Sequence, residues 1–263
     1  MSLKLFSFSR PRSLSRKLLG LAAPLGLLAS TAWLAFGEKK ENSPPEKVGW
    51  FEPVQKNIEG WTVHVDPSLL KGGENREEGK KALTMLANHL QRISILLPEG
   101  PLAKMKEMEI WLEHEHPELS AMQYHPGADW LKSRGYDPRL AKKVHITRAS
   151  ALFSRGQMLK HPAVILHELA HAYHDQVLGF DDEAIIAAYQ AAMDQGILDK
   201  VQLFTGREGR HYGATNHKEY FAEATEAYLY RNDFYPFVAA ELREYDPKGF
   251  AMVKKIWGPA AVR

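Results

Sequence analysis

AVILHELAHAYHDQVL, from Ala163 to Leu178, is a largely apolar run that contains the pattern H-E-x-x-H. Pro162 stands just before it, where its missing N–H costs a helix nothing, and no breaker interrupts the following sixteen positions, so the run predicts a helix. Val164, Ile165, Leu166, Leu169, Ala170 and Ala172 make that helix apolar enough to be buried. His167 and His171 are four apart and share one face, so both imidazoles can address a single ion. Neutral imidazole is a favoured zinc ligand, and two of them require a third ligand plus an open position to make a reactive centre. Glu168, beside the first His, is placed to act as general base towards a water at that centre. With 12 His in 263 residues, H-E-x-x-H arises by chance in a few per cent of such chains at the order-of-magnitude level, so the motif carries information.

The third ligand lies elsewhere. His174 follows His171 too closely on the same face. The longer H-E-x-x-H-x-x-G-x-x-H pattern is absent, because His174 occupies its Gly position and Val177 its last His. KEYFAEATEAYLY, Lys218 to Tyr230, offers Glu219, Glu223 and Glu226 on a predicted helix. Glu219 and Glu223 are four apart, so one can ligate while the other supports a ligand from behind. These acids would suit a solvated face, but Tyr220, Phe221, Ala222, Ala224, Ala227 and Tyr228 bury the helix, where unpaired carboxylates are costly. A carboxylate with two imidazoles makes a His2Glu zinc set. Upstream, HYGATN (His211 to Asn216) places a phenol at Tyr212 that either donates to a developing oxyanion or packs at the turn before Gly213.

Taken together, HELAHAYHD and HYGATNHKEYFAEATEAYL resemble the catalytic domain of anthrax lethal factor and its bacterial zincin relatives. In that family the H-E-x-x-H helix is followed by a segment of the form Y-G-x-T-N-x-x-E-F-F-A-E. Here Tyr212 to Glu223 follow that form with Tyr220 in place of a Phe, and 48 residues separate His171 from Glu219. The resemblance implies a zinc metallopeptidase with ligands His167, His171 and Glu219, Glu168 as base, and Tyr212 assisting the oxyanion or leaving group. It implies that Glu223 supports the ligands from behind. It covers chiefly His161 to Tyr230 and includes no receptor-binding or toxin-delivery segment, so no toxin role is implied. The whole stretch is also similar to exported peptidase-like proteins of environmental bacteria.

Working outward, Trp61 to Val65 (WTVHV), Met108 to Leu112 and Lys143 to Thr147 (KVHIT) predict strands, with Ala121 to Tyr124 as an edge strand ended by His125-Pro126-Gly127. Leu83, Leu86, Leu90, Ile93 and Leu97 predict an amphipathic helix over Lys80 to Leu97. Beyond the motif, helices are expected over Asp182 to Gln195, Lys218 to Tyr230 and around Phe237 to Tyr245, with a further turn or helix over Lys248 to Trp257. Mixed elements followed by helices give an α+β class: a zincin-like domain with a small mixed sheet and the active-site helix, then a helical C-terminal subdomain across a cleft.

The N-terminal stretch differs. Met1 to Lys17 hold five basic residues and no acid, and Leu18 to Gly37 form an uncharged apolar run. That order predicts a signal peptide or N-terminal membrane anchor over 1–37, and export to the periplasm, the exterior or the outer side of the cytoplasmic membrane. A charged, proline-bearing linker over 38–48 and a catalytic domain over 49–263 follow. Without residues 1–37, the 34 basic residues fall to 29 against 32 acidic ones, a formal charge of −3, and no basic cluster for nucleic acid survives. The absence of Cys excludes disulfides, thiolate ligands and a Cys nucleophile. The expected partner is a peptide or protein substrate, with membrane contact only through an uncleaved N-terminus. The alternative is a zinc-binding domain that recognises an envelope or protein partner without turnover. His125 is read as a turn or cleft residue, His145 as structural, and Asp175 and His174 as neighbours of the active-site helix.

Overall fold

Alternation of β-branched or aromatic residues with polar ones sets the first strands. The computed structural model describes residues 50–259, so the segments read as 1–37 and 38–48 lie outside it. Strand β1 (Val54–Ile58) turns through Glu59 and Gly60, both at positive φ (53° and 99°), into β2 (Trp61–Val65). Such a two-residue turn matches the twist of paired strands, and Ile58 faces Trp61 across it. β1 is absent from the sequence-based expectation because VQKNI is mostly polar and exposed.

Helix α1 (Arg76–Leu96) begins one turn before the predicted start, and α2 (Glu99–Met105) follows. Then come β3 (Glu109–Leu112), β4 (Gln123–Tyr124), α3 (Ala128–Arg134) and β5 (Lys143–Ile146). The sheet has the order β1-β2-β3-β5-β4. Its centre is parallel and its two edge strands run antiparallel.

Because side chains alternate along a strand, the two faces differ. Val63, Val65, Ile110, Leu112, Val144 and Ile146 point into the main core with Leu86 and Leu90 of α1. On the opposite face His64, Trp111 and His145 sit side by side in register. There Trp111 packs with Leu131 and Leu140 in a small second cluster.

The C-terminal half is helical: α4 (Arg155–Lys160), α5 (Val164–Tyr173), α6 (Glu183–Asp194), then a short pair β6 (Val201–Gln202) and β7 (Glu208–Gly209), and α7 (His217–Leu229), α8 (Ala239–Tyr245) and α9 (Pro247–Trp257). The predicted helix to Leu178 ends its regular part at Tyr173 and continues as a wider π turn over His174–Leu178, closed by Gly179 at φ 86°. α5 lies against α7 on one side and β4, β5, α1 and α2 on the others, so every one of its ten residues is buried. The described residues belong to one compact unit, of the mixed α+β class.

Candidate metal centre

α5 and α7 face each other across the core, and their polar side chains meet there. Asn216 caps α7, its Oδ1 accepting from the N–H groups of Lys218 and Glu219 at 2.9 and 3.0 Å. The cap fixes the first turn, and Glu219 within it sits at the positive end of the helix, where a carboxylate is favoured. Glu219 Oε2 stands 3.2 Å from His167 Nε2 and 3.2 Å from His171 Nε2, and the two imidazole nitrogens are 3.1 Å apart. Three donor atoms at these spacings match a tetrahedral cation, whose ligands at about 2.0–2.1 Å lie roughly 3.3 Å from one another. The donor set, two imidazoles and one carboxylate, is one that divalent transition metals take.

Charge is organised around this point. Burial disfavours a cation at His167, but its contacts with Glu219 and Glu226 outweigh that and hold its pKa well above the ordinary value. Burial alone would raise Glu219, yet hydrogen bonding to His167 and His171 keeps it strongly acidic. Glu168, 7% exposed, is pushed up by burial against the pull of His167 and His171. Tyr212 sits in the short turn Tyr212–Ala214 ahead of α7, 47% exposed, with its ring centroid 6.4 Å from that of His167. Burial and the Glu219 charge raise its pKa, so the phenol keeps its proton and can donate.

Behind His167 the arrangement departs from the expectation for Glu223. Glu223 Oε1 is 3.8 Å from His167 Nδ1, and its Oε2 is 4.0 Å from His211 Nδ1. The His167 Nδ1–H instead donates to Glu226 Oε1 at 2.6 Å, and the same oxygen accepts from His161 Nε2 at 2.9 Å. Both acids are fully buried. Burial and then the neighbouring Glu226 charge push the Glu223 pKa well up, whereas for Glu226 the burial effect is overcome by His161 and His167, which hold it down.

The remaining singled-out residues serve other contacts. His174 is fully buried against Phe180, His217 and Phe221, and burial lowers its pKa to about 4. Asp175 accepts from Tyr124 Oη and Lys142 Nζ, both at 2.6 Å, tying the π turn to β4 and to the approach of β5. His125 Nε2 lies 3.1 Å from His145 Nδ1 on the outer sheet face, and His125 stacks on Trp130. His211 accepts from the Gly213 N–H and shapes the Tyr212 turn; His217 bonds the Phe180 carbonyl. His161 is the site residue that the motifs do not contain, because it lies in the non-helical link between α4 and α5, where no spacing rule sets a side chain's direction. Among family models, curated proteins and solved structures, none matches this chain.

Proposed function

We propose that the chain is a zinc-dependent metallopeptidase of zincin type, hydrolysing peptide or amide bonds outside the cytoplasm. The observation that carries the reading is the convergence of His167, His171 and Glu219 donor atoms within 3.2 Å, with a buried Glu168 adjoining them in sequence. The zincin fold is part of the same proposal: a mixed sheet backing an H-E-x-x-H helix, with the third ligand delivered by a later helix.

Zinc held by the three ligands supplies Lewis acidity, lowering the pKa of a water to about 7 and polarising a carbonyl. Glu168 accepts a proton from the attacking water as its oxygen bonds to the carbonyl carbon, and then delivers that proton to the departing amine nitrogen. A carboxyl whose pKa burial has raised is suited to both halves of this shuttle. The Tyr212 phenol donates to the carbonyl oxygen as negative charge gathers on it. His167 and His171 stay oriented by their burial in α5, so little reorganisation accompanies the reaction.

The test is cleavage of a peptide library by the zinc-loaded protein, with Glu168→Gln assayed beside it. The expected result is one bound zinc in both proteins and products from the wild type alone, the variant falling at least about 10²-fold. Equal cleavage by both would discard the general-base mechanism. Zinc bound by both with product from neither would leave a zinc-binding domain without turnover.

A further inference from the structure

Glu226 is a buried carboxyl that the proposed chemistry does not touch, and the two imidazoles against it state what it is for. A carboxylate can only accept, so the 2.6 Å contact with His167 Nδ1 and the 2.9 Å contact with His161 Nε2 are two N–H donors converging on Oε1. With zinc bound, a proton held at Nδ1 by Glu226 would leave the His167 Nε2 lone pair to the position it shares with His171 and Glu219. His161 stacks edge-on against His167 with centroids 5.3 Å apart, and its side chain is 17% exposed.

We infer that Glu226, rather than Glu223, is the positioning residue for the ligand His167, and that His161 in turn holds Glu226, in a chain His161–Glu226–His167. This rests on the zinc reading of the site. Helical phase explains the choice. At 3.6 residues per turn, seven residues from Glu219 bring Glu226 back to within about 20° of the same direction, whereas four residues leave Glu223 about 40° away on the other side. Glu219 and Glu226 therefore grip the two nitrogens of one ring, Nε2 and Nδ1, from the same helix.

His161, His167 and Glu226 also form a set of donors close enough to invite a second ion. The 2.6 Å separation argues against it, since ligands sharing one tetrahedral ion lie about 3.3 Å apart and a shared proton gives the shorter length. His161 also gives the buried Glu226 carboxyl a second hydrogen-bond partner, which a buried polar group needs.

The experiment is zinc affinity of the full chain by competition with a chromogenic chelator, for wild type, Glu226→Gln, His161→Gln and Glu223→Gln. Loss of a group that orients a ligand histidine weakens binding about 10–100-fold. That is the expected effect of Glu226→Gln, with a smaller weakening in His161→Gln and a change within about threefold for Glu223→Gln. Glu223→Gln is the control, removing an equally buried carboxyl from the same helix. A metal-free readout accompanies it: the His167 Nδ1–H resonance in the 15N–1H spectrum, expected downfield in wild type, moved by Glu226→Gln and unmoved by Glu223→Gln. If Glu226→Gln does not fold, His161→Gln on the partly exposed end carries the test. Glu223→Gln weakening zinc as much as Glu226→Gln would overturn the inference, as would an unmoved His167 resonance in Glu226→Gln. Two zinc ions per chain, one of them lost with His161→Gln, would overturn it in favour of a second ion. Should the wild type bind no zinc, the zinc reading fails, and the resonance alone still decides the chain.

Discussion

Tyr212 and Tyr220 flank the start of the same helix, yet their surroundings assign them different work. Tyr220 is 3% exposed and its hydroxyl is consumed by the Asp246 carboxylate, so it braces α7 against the turn into α9. Tyr212 is half-exposed, faces the His167 ring, and keeps a proton that no acceptor among the described residues takes. Deleting one donor to an oxyanion costs about 10²–10³-fold in kcat. Tyr212→Phe is therefore expected to lower kcat about 10²-fold while zinc content and KM stay near wild type, measured by steady-state hydrolysis of whichever peptide the library yields. A variant as fast as the wild type would take the phenol out of the reaction. His167, Glu168 and His171 were legible in the sequence because one helix and its period set their directions, whereas Glu219 was one of three candidate acids and only the family resemblance singled it out. The role of Glu226 was not legible, although the residue was among the candidate acids. Its choice over Glu223 turns on about 60° of helical phase between the two and on where His161 comes to rest.

At the level of elements, regular helices and buried strands were readable because burial on one face writes a period into the sequence. β1 was not, being mostly exposed, nor were α3 and α4, which are one or two turns long and owe their shape to neighbours. Close packing between elements leaves another kind of trace. Gly79 lies in the first turn of α1 where the chain crosses the Pro67–Leu69 turn, and a Cβ there would meet the Leu69 carbonyl oxygen at 1.9 Å. Replacing Gly by Ala inside a helix ordinarily stabilises by about 1 kcal/mol. Here the clash is with backbone, which cannot rotate aside, and overpacking of this sort costs about 1–3 kcal/mol or more. The expected outcome is net destabilisation by Gly79→Ala in denaturant melts. Gly100→Ala in α2, where the added Cβ meets nothing within 4 Å, should be neutral or slightly stabilising. Equal effects at the two positions would show that propensity, not the close approach, decides.

Over the whole molecule, the helical half closes around Trp257, fully buried, stacked on Phe221 and donating from Nε1 to Thr225 Oγ1 at 2.9 Å. Phe221 and Thr225 are on α7, and Tyr173 at the end of α5 packs on the same indole. The two helices that carry the proposed metal donors are thus joined by an apolar contact that needs no metal. This separates the molecule from small zinc domains, whose folding free energy is the binding free energy itself. Zinc bridging His171 and Glu219, 48 residues apart, should add stability by linkage without being required for the fold. Free zinc at 100 times its Kd adds about 2.7 kcal/mol. In a domain of this size 1 kcal/mol moves Tm by about 2–4 °C, so chelation should lower Tm by roughly 5–10 °C while the far-UV circular dichroism at 25 °C stays unchanged. Loss of helix on chelation would mean that the Trp257 contact is too weak to hold α5 and α7 together. An unmoved Tm would mean that no ion bridges them, and the donor geometry would then have to be explained by the buried charges alone.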